Sequence, residues 1–193
     1  MKEPEKADPA PVATPSQTVG PFFHFGLTPD ASGGTVRGVS GRERIQLRMR
    51  VTDGEGQPVN DAVVEIWQAG EIVNEAASTP SAEPSLSGFG RMATAEDGSC
   101  EFETVRPGRV PDGAGGHQAA HINVCLFARG LLRQLHTRIY FAGDPSLEED
   151  PVLARVPADR RDTLVANPDA ICSGRWLFHL RLQGPRETVF FDV

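Results

Sequence analysis

A chain of 193 residues suits one domain with a substantial core and some length left for arms or insertions. Its net charge of -7 and isoelectric point near 5.2 argue against a phosphate-binding surface, because nucleic-acid binders concentrate Lys and Arg to displace counterions. Cys100, Cys125 and Cys172 lie far apart with no C-x-x-C pair, so they are expected to be reduced small hydrophobes, mostly buried.

Residues 1–14 are Pro, Ala, Glu and Lys with almost nothing to bury, and are expected to be a disordered tail. No apolar stretch there serves as a signal peptide, and no run elsewhere is long enough to span a bilayer. The expected setting is therefore the cytoplasm, with neither membrane nor nucleic acid as partner. From residue 15 the chain reads as one domain to residue 193. Its first part, 15–30, sets extended-chain signals at Pro15 and Pro21 beside an aromatic cluster of Phe22, Phe23 and Phe25. With no hairpin partner in sequence, this segment is expected to be an arm that docks its rings on another surface. The alternative is an N-terminal strand closing the chain's own core.

In "RIQLRMRVTDGEGQPVNDAVVEIWQA", Ile45, Leu47, Met49 and Val51 alternate with polar residues, a turn follows, and a second β-rich run ends at Trp67. Residues 70–87 lack both periodicities and read as a long surface loop. Two short strands then flank the "EDGS" turn, and a Gly-rich connection leads to "HINVCLFARG", "RQLHTRIYF", "RWLFHLRLQ" and "TVFFDV". Trp176, Phe178, Leu180 and Leu182 share one face of their strand, with His179 and Arg181 on the other. The one helix expected is Ala158–Ala166, entered at Pro157. Many short strands and a single short helix indicate an all-β fold, a β-sandwich of mostly antiparallel strands with long loops.

His121 and Asn123 stand two apart on an expected strand, so both point to one face, the spacing two metal ligands on a strand would have. With the motifs "TPSQTVGPFF", "EIWQA", "GFGRMAT", "TVRPG", "AHINVCLFARG", "LHTRIYFAGDP" and "RETVFFDV", the chain resembles the intradiol ring-cleaving dioxygenases from about Thr14 to Val193. Within that family it is most similar to the alpha chain of members built from paired alpha and beta chains. The resemblance implies an obligate hetero-oligomer in which non-haem Fe(III) and O2 open protocatechuate between its two hydroxylated carbons, giving 3-carboxy-cis,cis-muconate. It also implies that the iron is held by two tyrosinates and two histidines of the beta chain, with no cofactor on this chain.

Ferric iron is a hard cation that favours anionic oxygen, hence the tyrosinates. This chain has one tyrosine, Tyr140. Matched to the family pattern, the first tyrosine has no counterpart in "GEIVNEAA", the second falls on Val110, and the two histidines fall on His121 and Asn123. The arginine three residues before the first histidine of catalytic members falls on Gln118, removing a charge that would stabilise carbanion character on the substrate. Val110, Gln118, His121 and Asn123 therefore read as a degenerate former metal site. No residue of this chain is expected to be catalytic. His121 reads either as a buried imidazole bonded to backbone or to an amide such as Asn123 or Gln118, or as a residual ligand site. Tyr140 reads as a core or interface hydroxyl. His24, His117, His136 and His179 have no spacing that makes a metal site, and Asp53, Asp97 and Asp144, each beside Gly or Pro, read as turn residues.

The resemblance also points to residues that would complete the partner's pocket: Gly20, Pro21, Arg129 and, more weakly, Thr18. Gly20-Pro21 allows close backbone approach and then fixes direction, or is a simple bend in the arm. Arg129, at a strand end before Gly130, could meet the substrate's carboxylate or form a salt bridge to the beta chain. A different function on the same fold would be a stand-alone binding module for aromatic acids that has lost catalysis.

Overall fold

The computed structural model of the chain describes residues 12–28, 34, 36, 43–69 and 88–193. Residues 1–11 of the expected tail and the expected loop at 70–87 lie outside them.

Alternation of apolar and polar side chains builds the first strand as expected: β1 (Arg44–Thr52) buries Ile45, Leu47, Met49 and Val51 and turns its polar residues outward. It is followed by β2 (Val63–Trp67), β3 (Phe89–Ala93) and β4 (Ser99–Val105), and then by a hairpin of two-residue strands, β5 (Val110–Pro111) and β6 (His117–Gln118). Next come β7 (His121–Phe127), β8 (Leu135–Phe141), β9 (Val165–Pro168) and β10 (Arg175–Arg181).

Eight strands are joined in the order β3-β2-β7-β8-β9-β10-β1-β4. The β9 strand pairs parallel with β8 and antiparallel with β10, so the ribbon turns over at β9 and its two halves face each other as a sandwich. One apolar core fills the space between them. It takes Leu47, Met49, Phe102, Phe178 and Leu180 from one half and Ile66, Ile122, Leu126, Ile139 and Phe141 from the other. A smaller cluster, with Ala119, Tyr140, Leu153, Val156 and Leu164, lies on the outer side of β8. Arg106 closes one end of the main core, with its guanidinium carbon 5.0 Å from the Phe141 ring centre and 4.6 Å from that of Trp176.

The expected helix is present as a 3-10 helix over Ala158–Leu164, and the last two residues expected in it, Val165 and Ala166, belong instead to β9. The helix buries only Thr163 and Leu164 and so lacks the apolar stripe an α-helix needs for packing, while Val165 and Ala166 pair with Tyr140 and Phe141. The arm is not extended throughout. After a turn closed by the Phe23 N–H on the Gly20 carbonyl (3.2 Å), Phe23–Leu27 forms one helical turn, α1. The C-terminal "TVFFDV" forms no continuous strand: it meets β8 through an isolated bridge of Phe191 to His136, and β10 through the Thr188 N–H on the Arg181 carbonyl at 2.9 Å. No helix among the described residues is long and apolar enough to cross a membrane.

Candidate functional site

On β7 the side chains of Ile122, Val124 and Leu126 enter the core, so His121, Asn123, Cys125 and Phe127 share the outer face. Cross-strand pairing sets His121 opposite Tyr140, and Asn123 between Arg138 on β8 and Trp67 on β2. The spacing read from the sequence therefore does place His121 and Asn123 on one face. Their environments nevertheless diverge: His121 is buried and Asn123 is exposed.

The imidazole Nδ1 of His121 lies 2.7 Å from the Ala119 carbonyl. A carbonyl only accepts, so Nδ1 carries the hydrogen and Nε2 holds the ring's one free lone pair. Burial lowers the His121 pKa; the Ala119 bond opposes this and the Arg138 charge adds to it. Of the two partners expected from the sequence, backbone is the one used. Gln118 is occupied otherwise, with its Oε1 accepting from Arg138 at 2.7 Å.

Gln118 and Val110 are direct partners across the β5-β6 hairpin. Asp112 sets that hairpin's turn by accepting from the Ala114 and Gly116 N–H groups, each at 2.8 Å. Thus Val110, Gln118, His121 and Asn123 all lie on β5, β6 and β7, with Gln118 joining the hairpin to the sheet through Arg138. Tyr140 is wholly buried, and its hydroxyl donates to Asp150 at 3.0 Å. Burial pushes its pKa up to about 12, so the phenol keeps its proton at neutral pH.

Asp150 is the residue that sequence reasoning missed. Completely buried, it accepts from the Ala119 N–H (2.7 Å) and the Tyr140 hydroxyl, and from the N–H groups of Val152 (3.0 Å) and Leu153 (2.7 Å). In sequence it ends an acidic run that looks like solvated surface. The same Asp150 thus fixes Ala119, whose carbonyl orients His121.

This donor set does not fit ferric iron. It offers one imidazole nitrogen, a phenol held protonated and bonded elsewhere, an exposed amide and a valine. Among the described residues no group of three His, Cys, Asp or Glu side chains is placed to hold a metal ion.

The other candidates gather at the opposite end of β7. The Thr18 hydroxyl accepts the Gly130 N–H at 2.7 Å, and the Phe23 ring packs on Phe127 with centres 5.6 Å apart, so the arm is latched to this chain's own sheet. Phe22 and Phe25 remain exposed. Arg129 is paired through Nε with Asp61, a partner the sequence did not reveal. Gly20 and Pro21 are exposed, and a Cβ added at Gly20 would meet nothing within 4 Å. Among the described residues, nothing approaches that Cβ position closely. Asp53, Asp97 and Asp144 accept N–H bonds from residues two ahead, as turn residues do.

A family profile described as "Dioxygenase" matches residues 20–184. The chain is 41% identical to a protein named protocatechuate 3,4-dioxygenase alpha chain from Burkholderia cepacia, over 93% of this chain and 97% of the relative. It is 39% identical to the alpha chain of the same name from Pseudomonas putida, over 93% and 96%. The Burkholderia cepacia beta chain of that name is 36% identical over 64% of this chain and 55% of its own length. Among solved structures, 3-chlorocatechol 1,2-dioxygenase from Rhodococcus opacus 1CP superposes with a TM-score of 0.57 at 22% identity, over 77% of this chain. The chain spans 62% of that structure's length, and the likeness is one of fold.

Proposed function

The chain belongs to this dioxygenase family, and on that premise we propose that it is the subunit of a protocatechuate-cleaving dioxygenase that holds no iron. It assembles with a beta chain that carries non-haem Fe(III), and completes the pocket in which O2 opens the ring to 3-carboxy-cis,cis-muconate. The observation that carries this reading is the donor set at the matched iron position. His121 supplies one nitrogen, while Asn123, Val110 and the protonated Tyr140 supply none of the anionic oxygen Fe(III) requires. Near-full-length likeness to alpha chains supports the same conclusion.

The iron, when bound by the partner, supplies the redox and Lewis-acid chemistry. This chain's residues hold and shape. Residues 15–30 serve as the interface arm: Thr18 and Phe23 anchor it, while Phe22 and Phe25 present rings to the partner. Gly20 and Pro21 form an exposed bend that the partner's pocket can approach closely. Arg129, more than half exposed, keeps guanidinium N–H groups beyond its Asp61 contact, enough to attract the carboxylate of an anionic substrate. The His121 region keeps its form through Asp150 and Ala119, and serves as scaffold.

The test is expression of this chain with and without a beta chain carrying both tyrosines and a His-x-His strand, followed by oxygen uptake with protocatechuate. The pair consumes oxygen and the single chain does not. Oxygen uptake by the single chain, or by the beta chain at equal rate alone, overturns the proposal.

A further inference from the structure

On the side of the sandwich away from His121, β1 and β10 run parallel with Arg50 opposite His179 and Thr52 opposite Arg181. Their outward side chains floor an open groove of about 830 Å³. Two of its arginines are tied at the rim: Arg48 to Asp97 at 3.5 Å and Arg186 to Asp162 at 2.6 Å. Arg50 and Arg181 make no salt bridge among the described residues; the Arg50 charge is felt by Asp97, and both arginines act on the ring of His179 between them. His179 in turn shares a hydrogen bond with Thr52 at 2.9 Å, which holds the ring in place. The third carboxylate of the groove, Asp169, faces Arg175 at 3.7 Å. Beside this unmatched positive pair stand two exposed apolar side chains, Leu177 and Ile171.

From this juxtaposition we propose that the Arg50–His179–Arg181 groove is a binding site for a small organic polycarboxylate. Two guanidiniums on adjacent strands can each meet one carboxylate through paired N–H bonds. Leu177 and Ile171 give the carbon body of such a ligand an apolar wall, which an inorganic anion would not use. The site is independent of the former iron face, since it lies on the other half of the sandwich.

The test is titration calorimetry on the full chain, or on its complex with a beta chain, using citrate and inorganic phosphate at fixed ionic strength. Citrate binds saturably and more tightly than phosphate. The double variant Arg50→Gln/Arg181→Gln weakens citrate at least about tenfold, as expected for loss of two charge-assisted contacts. Arg50→Lys/Arg181→Lys, which keeps the charge but not the planar fork, falls between. Arg109→Gln, at an exposed arginine outside the groove, binds like the unaltered protein. Absence of saturable citrate binding, phosphate binding as tightly as citrate, or equal weakening by Arg109→Gln overturns the proposal.

Discussion

Replacing Asp150 with Ala removes the one acceptor that Ala119, Tyr140, Val152 and Leu153 share. Three of those four bonds are fully buried, and an orphaned buried donor costs about 1–3 kcal/mol. Partial relaxation and the relief of a desolvated charge reduce the sum, so the expected loss is roughly 3–5 kcal/mol. Asp150→Asn keeps an oxygen for Tyr140, Val152 and Leu153 but sets an amide N–H against that of Ala119, at a cost of about 2 kcal/mol. Tyr140→Phe removes a single donor and leaves the carboxylate three others, for about 1 kcal/mol. Urea unfolding of the three variants, followed by circular dichroism, should rank them in that order. Asp150→Ala losing less than Tyr140→Phe would refute the idea that this carboxylate organises the Ala119–His121 corner.

Gly98 has φ +76°, and a Cβ there would come 2.5 Å from the Val51 carbonyl oxygen, so Gly98→Ala should cost about 2 kcal/mol or more in the same assay. Because Tyr140 is the chain's one tyrosine, tyrosinate absorption reports it alone. Its folded pKa of about 12 lies above the unfolded value of about 10, so the unfolded chain loses its proton first. Stability should be unaffected by this group below pH 10 and fall as pH rises from there toward 12, with tyrosinate absorption appearing late in the folded protein. Arg129→Ala, measured in the complex by steady-state oxygen uptake, should raise KM for protocatechuate several-fold while iron content stays constant. Unchanged kinetics would leave Arg129 with Asp61 alone.

Strands whose alternation is dictated by a one-sided core were readable directly: Ile45, Leu47, Met49 and Val51 all enter the core, and Phe178 and Leu180 do the same on β10. What escaped reading depends on tertiary pairing. The sheet-switching β9 has four residues and ends in Pro168, so its identity comes from Tyr140 and Phe141 on one side and Trp176 and Leu177 on the other. The Val110–Gln118 hairpin has two residues per strand, too few for any periodicity, and only the turn-forming Asp112 signals it. At the candidate site, the shared face of His121 and Asn123 followed from strand geometry alone. The residue types matched to the iron pattern, and the chain's single tyrosine, are properties of the sequence itself. The partners are not: Asp150, 29 positions beyond His121, and Asp61, 68 positions before Arg129, reach their sites only through the fold.

The proposed division of labour leaves the ferric iron to the partner, because this chain's matched residues lack the anionic oxygen that Fe(III) favours. Purified alone after growth in iron-supplemented medium, the chain should carry far less than one iron and show no visible tyrosinate-to-Fe(III) absorption, whereas the co-purified pair should show both. One ferric ion per chain in the single protein, with that absorption and its loss in Tyr140→Phe, would place the iron on this chain instead.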